Sequence, residues 1–152
     1  MTVVKITRIE AANLAELLRQ FRELMDAADQ ADPAMQRLTP DAYPGDREAS
    51  RQFRDLTASD LLSRRQEDAQ TVLETLGIPF EMPRTDTESL EELTITLSPD
   101  EFEAWLRSLA ALRLVLASRL GISAEDDHDE DDPRFGVYDW LGYRLEMLVQ
   151  QA

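Results

Sequence analysis

The chain has 152 residues, a net charge of -15 and no cysteine. That length suits one domain able to bury a sizeable core, and a hydrophobic content of 43% supplies the side chains for it. Without cysteine, disulfides, thiolate nucleophiles, iron–sulfur clusters and cysteine-type zinc fingers are excluded, and the acidic balance speaks against a whole-molecule footprint for nucleic acid or anionic membrane.

The opening M-T-V-V-K-I-T-R-I-E reaches an acid at Glu10, too early for the apolar region of a signal peptide. Apolar runs such as Leu109–Leu112 and Leu114–Ala117 fall far short of the ~20 residues that cross a bilayer. A soluble cytoplasmic protein with no membrane partner is expected. Residues 3–9, V-V-K-I-T-R-I, are β-branched with partial alternation and predict a strand. Leu93–Leu97, L-T-I-T-L, is the comparable segment. The two are expected to pair as a minor ribbon, because a lone strand leaves its backbone groups unbonded.

From Asn13, read as an N-cap, Leu14, Leu17, Leu18, Phe21, Leu24, Met25 and Ala28 follow the i, i+3, i+4, i+7 spacing of one buried helix face. Asp32-Pro33 is expected to close that helix, since a residue before proline avoids helical dihedrals. A loop with Pro40, Pro44 and Gly45 follows. Arg47 to Leu56 reads as a short helix. Thr57-Ala58-Ser59-Asp60 opens another that runs to Leu76 and stops at Gly77. Its middle, Ser63–Asp68, is wholly polar, which makes it either a solvated stretch or an interaction face. Residues 78–91 read as a connection whose polar half, Arg84–Ser89, is mobile.

Ser98 begins the best-defined element. Serine as cap, Pro99 at the first helical position, and Asp100 and Glu101 in the first turn satisfy three separate preferences for a helix start. Phe102, Trp105, Leu106, Leu109, Leu112, Leu116 and Leu120 form a stripe that Ala110, Leu114 and Val115 widen nearly all round. That pattern marks a central, buried helix, ended by Gly121. An acidic linker, 123–134, then leads to a last helix from Phe135 to Gln150, with Val137, Trp140, Leu141, Leu145, Leu148 and Val149 inward. The fold expected is mostly α: one compact domain of about five helices over residues 1–152, with the two-stranded ribbon.

The chemistry-bearing residues are few. His128, the one histidine, sits in E-D-D-H-D-E-D-D, where neighbouring carboxylates favour its charged form but no orienting partner suits it to acid–base work. An EF-hand loop wants glycine at its sixth position and glutamate at its twelfth; counted from Asp126 these are Asp131 and Val137, and from Asp127 they are Asp132 and Tyr138. Both registers fail, and the run reads as a linker extended by self-repulsion. Arg107, Arg113 and Arg119 are spaced by six along the central helix and so do not share a face. Arg113, between two leucines, needs a partner, and Asp139 is the expected one, in an ion pair between two helices. Arg47, Arg51, Arg54, Arg64 and Arg65 gather cation in the middle of the chain, at a spacing able to contact a partner or phosphates. Lys5 is the only lysine. No dinucleotide fingerprint, P-loop, zinc-protease motif or nucleophile elbow occurs. No catalytic residue, metal site or cofactor is assigned, and an enzyme is not expected.

Three segments carry a resemblance: W-L-R-x-L-x-x-L-R-L-V-L-x-x-R-L-G-I from Trp105, the closing Y-D-W-L-G-Y from Tyr138, and F-R-D-L-T-A-S-D-L from Phe53 to Leu61. Together with the acidic linker, they resemble an actinobacterial family of small conserved proteins catalogued as a domain of unknown function. The resemblance implies a regulatory setting: some relatives carry the label of oxidative-stress transcriptional regulator, and the gene often stands beside a ClpS-type proteolytic adaptor. A thiol redox switch cannot operate in a chain without cysteine. The function expected is therefore a non-enzymatic regulatory or protein-interaction module. A DNA-binding or polymerase-associated regulator is the alternative, followed by an acidic metal binder or an enzyme. The expected contact surface is the arginine-bearing segment 47–65, with the acidic run as a second, electrostatic one, and a protein partner is expected ahead of nucleic acid. The oligomeric state is left open, a homodimer included.

Overall fold

The computed structural model describes residues 2–27, 32–38, 47–77, 85–121 and 135–151, with side chains throughout except at Gln36 and residues 47–59. In chain order the elements are β1 (Thr2–Thr7), α1 (Arg8–Ala27), α2 (Pro33–Leu38), α3 (Arg47–Leu76), α4 (Asp86–Ser89), β2 (Glu92–Leu97), α5 (Pro99–Leu120) and α6 (Gly136–Gln150). The expected loop at Pro40–Gly45, His128 and the acidic linker lie outside the described residues. So the mostly helical expectation holds, and so does the pairing of two strands far apart in sequence.

β1 and β2 are antiparallel, with Thr2 opposite Leu97 and Thr7 opposite Glu92. Val4 and Ile6 point into the core, while Val3 and Lys5 face out. Helix α1 starts earlier than Asn13. The run T-R-I-E is a capping box: the Thr7 hydroxyl accepts from Glu10 N at 3.3 Å, and the Glu10 carboxylate accepts from Thr7 N at 3.0 Å. The strand therefore passes straight into the helix.

Asp32-Pro33 opens a helix rather than closing one. The Asp32 carboxylate accepts from Ala34 N at 2.9 Å, and proline suits a first helical position because its missing N–H would be unbonded there anyway. The two helices read between Arg47 and Leu76 are one. No proline or glycine interrupts this stretch, and Thr57, Ser59 and Asp60 only weaken a helix in which they are embedded. Thr85 caps α4 through Glu88 N, so the described part of the connection forms a capped helical turn.

The strongest start signal forms in full. Ser98 accepts from Glu101 N at 3.2 Å while Glu101 accepts from Ser98 N at 2.8 Å, and Gly121 ends α5 at φ 74°, in the left-handed region where a side chain is costly. Helix α5 is the centre of the fold, packing on α2, α3, α6, α1 and β2. Trp105, Leu109 and Leu112 meet Leu14, Leu18 and Phe21 of α1, Met35 and Leu38 of α2, and Val72 and Leu76 of α3 in one core. Burying each such side chain contributes ~1.5–3 kcal/mol. The Trp105 indole N–H is satisfied by Thr75 Oγ1 at 2.9 Å.

Helix α6 turns the expected side inward, with Leu141 and Leu148 buried and Trp140 and Leu145 packed on the core, but it differs at three positions. Tyr138, Leu141 and Leu148 are buried, whereas Val137 and Val149 are exposed. Tyr138 and Phe135 form a smaller cluster with Ala117 of α5. Two residues that look apolar and inward by spacing are therefore displaced by an aromatic that the same spacing left out.

Replacing Ser98 with alanine removes one half of the reciprocal cap. Ser98→Ala is expected to lower the unfolding free energy by ~1 kcal/mol, read as a lower urea midpoint with an unchanged slope.

Candidate interaction site

The site grows from Glu10. Both of its oxygens are occupied: Oε1 accepts from Thr7 N, from the Thr7 hydroxyl at 2.9 Å and from Arg144 Nη2 at 3.0 Å, and Oε2 accepts from the same Arg144 nitrogen at 3.0 Å and from the Trp140 indole N–H. Arg144 also donates through Nη1 to the Lys5 carbonyl at 2.8 Å. Burial works against the carboxylate. The backbone hydrogen bond from Thr7 and the donors on Trp140 and Arg144 outweigh it, holding the group ionised down to a pKa of about 2. One carboxylate thus ties the β1–α1 junction to α6.

With α6 fixed this way, three concavities lie along it. A cavity of about 460 Å³ opens between α1 and α6, walled by Leu17, Val137 and Trp140 with Asn13 and Glu16 at its polar side. A second, of about 260 Å³, lies between β1 and α6 and is lined by Val3, Val4, Lys5, Trp105, Met147 and Leu148, among others. A broad groove of about 890 Å³ runs along the far side, past Arg113, Asp139, Tyr143, Glu146 and Val149. Between them α6 turns apolar surface to solvent: Tyr143 is 56% exposed and Val149 60%, with Val137 and Met147 also exposed. Tyr143 and Met147 are one turn apart and so share a face.

The expected charged residues fall as follows. Arg113 Nε donates to Tyr138 O at 3.3 Å, and its guanidinium lies 4.1 Å from the centre of the Tyr138 ring. The group occupies the space above Gly142, where a Cβ would stand 2.7 Å from its Nη2. Asp139, the expected partner, lines the same groove as Arg113. The other two arginines of α5 bind other elements. Arg107 grips Asp68 of α3 through two bonds of 2.9 Å, and Arg119 grips Asp32 through bonds of 2.7 and 2.8 Å. Hydrogen bonds from Arg119 and Ala34 N hold Asp32 ionised down to about 2. Six-residue spacing aims each arginine at a different neighbour.

The polar middle of α3 is neither simply solvated nor a free face. Gln66 donates to Asp26 at 2.8 Å and accepts from Arg22 at 3.1 Å, Gln70 also accepts from Arg22, and Asp68 holds Arg107. Arg65 turns inward, donating to Leu38 O at 3.2 Å, and burial lowers its pKa. Of the five middle arginines, Arg65 is therefore a tie to α2 and Arg64 is exposed, while the side chains of Arg47, Arg51 and Arg54 lie outside the described residues. Among the described residues no cluster of three or more His, Asp or Glu is placed to hold a metal ion, and no helix is long and apolar enough to cross a membrane.

The functional residues that sequence reasoning missed are Glu10, Arg144 and the exposed face of α6. T-R-I-E was a readable signal for the first. The Glu10–Arg144 contact spans 134 residues and has no local signal.

The family comparison gives one match. The pattern of the family described as Domain of unknown function (DUF2017) covers residues 2–152. The chain belongs to this family. Comparison with curated proteins and with solved structures finds no match.

Removing the carboxylate charge leaves Arg144 facing a neutral amide. Glu10→Gln is expected to lose ~1–3 kcal/mol at neutral pH. The folded pKa is depressed, so the carboxylate's contribution is complete above the unfolded value of ~4.3 and is lost as pH falls toward about 2. The stability gap between wild type and Glu10→Gln, followed by chemical unfolding, should narrow across that window. Asp32 titrates in both proteins and cancels. A gap that stays constant would show that the charge is not what stabilises α6.

Proposed function

We propose that the protein is a non-enzymatic regulatory module of the cytoplasm that acts by binding a partner protein through α6. The observation that carries this reading is the outward apolar surface of α6. Tyr143 and Met147, one turn apart, leave apolar area in water on a helix whose opposite side is packed in the core, and exposed surface of that kind marks contact sites. Tyrosine and methionine suit it, being enriched where interfaces form. The rigid seating of α6 on Glu10 favours it further, because a preformed face loses little freedom on binding.

The arginine segment, expected from sequence to be the contact surface, takes second place. Arg65 is committed to α2, and Arg64 stands among Glu67 and Asp68 on a locally neutral stretch of α3.

Affinity capture from native lysate decides between the two surfaces. Tyr143→Asp should leave the melting temperature within a few degrees of wild type, since the side chain is exposed, and should abolish a stoichiometric partner that Arg64→Glu retains. Loss with Arg64→Glu alone would return the site to α3. Recovery of DNA or RNA polymerase, with steep salt dependence, would favour the transcriptional alternative.

A further inference from the structure

The two strands leave β1 with a free edge, and its backbone polarity can be worked out residue by residue. Arg8 N donates to Glu91 O at 2.9 Å, continuing the register in which Thr2, Val4 and Ile6 face Leu97, Ile95 and Leu93. In an antiparallel pair, successive residues alternate between exchanging hydrogen bonds with the partner strand and pointing away from it. Val3, Lys5 and Thr7 therefore direct N–H and C=O to the free edge. Two observations agree: Thr7 N donates to Glu10, and Lys5 O accepts from Arg144. The far end of the edge is thus closed by side chains, while Val3 is left open.

Beside Val3 lies the 260 Å³ cavity, whose apolar wall is Trp105, Leu109, Met147 and Leu148. Among the described residues its charged lining is Lys5 and Arg144, both cationic, in a chain of net charge -15. Arg144 is engaged by Glu10, but the Lys5 ammonium makes no ion pair with any described residue. An open backbone valence, an apolar socket and a local cation thus occur together.

We infer that this groove binds an extended acidic segment of a partner protein. The segment adds to β1 at Val3, seats an apolar side chain against Trp105, Leu109, Met147 and Leu148, and turns a carboxylate to Lys5. Strand addition of this kind takes affinity from main-chain bonds and specificity from the side-chain pocket. A second copy fits less well. Its own β1 edge is engaged at the Lys5 carbonyl and the Thr7 N–H, so two copies would share little beyond Val3. The inference rests on the protein-interaction reading and shares Met147 with the outer face of α6, whereas Tyr143 lies outside this groove.

Panning a library of short random peptides against the full chain tests it, with the best binder followed by fluorescence anisotropy. Peptides with an apolar residue flanked by acids should be enriched. Val3→Pro removes an N–H that β2 does not use, so the ladder survives, as proline is tolerated on an edge facing solvent. It should weaken the best peptide roughly tenfold or more, equal to ~1.4 kcal/mol, while Val3→Thr and Tyr143→Asp bind as wild type. If Val3→Pro fails to fold, Lys5→Glu supplies the reading, and should switch the enriched sequences from acidic to basic. No enrichment, binders indifferent to both substitutions, or self-association of the chain that Val3→Pro abolishes would each overturn the proposal. Peptide binding that survives a failed capture experiment on Tyr143 would separate this groove from the outer face of α6.

Discussion

Helix α6 is held by a carboxylate that sits at the other end of the chain. Glu10 accepts hydrogen bonds from the β1–α1 junction and from both Trp140 and Arg144, and Arg144 continues to the Lys5 carbonyl. That arrangement satisfies a half-buried acid, an indole N–H and both terminal nitrogens of a half-buried guanidinium at once, leaving the Arg144 Nε without a partner among the described residues. Each would otherwise carry a desolvation cost of ~1–3 kcal/mol. It also decides which side of α6 meets water, and hence where the grooves beside it lie. The candidate site is a consequence of how a polar cluster is closed.

The same economy of polar contacts runs through the rest of the fold. The central helix α5 is apolar enough to pack on five neighbours, yet it carries three arginines. Each reaches outward to a different element: Arg107 to Asp68 of α3, Arg113 to the Tyr138 carbonyl and ring, and Arg119 to Asp32 at the start of α2. These pairs are largely exposed and contribute little net stability singly, but they fix rotation and register between helices that hydrophobic burial alone would leave less defined. The Gln66–Arg22–Gln70 cluster between α1 and α3 acts likewise. A chain with 31% charged residues thus spends many of them on orientation.

These contacts also account for the inward turn of Arg65. A cationic side chain beside a helix–helix crossing is drawn to the nearest unbonded carbonyl or carboxylate, as Arg65 is to Leu38. Apolar side chains without an inward place have no such outlet. Tyr143 and Val149 stay in water because Leu141, Leu148 and Tyr138 already fill the side facing α5. Function in a fold of this kind is read better from what packing leaves over than from where charge gathers.

What the sequence determined alone was the strongest of the short-range features. The capping box at Ser98, the left-handed stop at Gly121 and the α5 stripe follow from residues within a few turns of each other, where propensity and periodicity act. T-R-I-E at Thr7 is a signal of the same range, but the sequence reading places Thr7 in the strand and the helix start at Asn13. Local signals were least reliable where two were compatible with the chain: Asp32-Pro33 begins a helix as readily as it ends one, and Thr57-Ala58-Ser59-Asp60 resembles a cap inside an unbroken helix. Tertiary structure alone decided that Val137 and Val149 of α6 meet water while Tyr138 is buried, the closure of Glu10 on Arg144 and the open edge at Val3. Those depend on which distant polar groups must be satisfied together, and no window of sequence contains both halves of a contact spanning 134 residues.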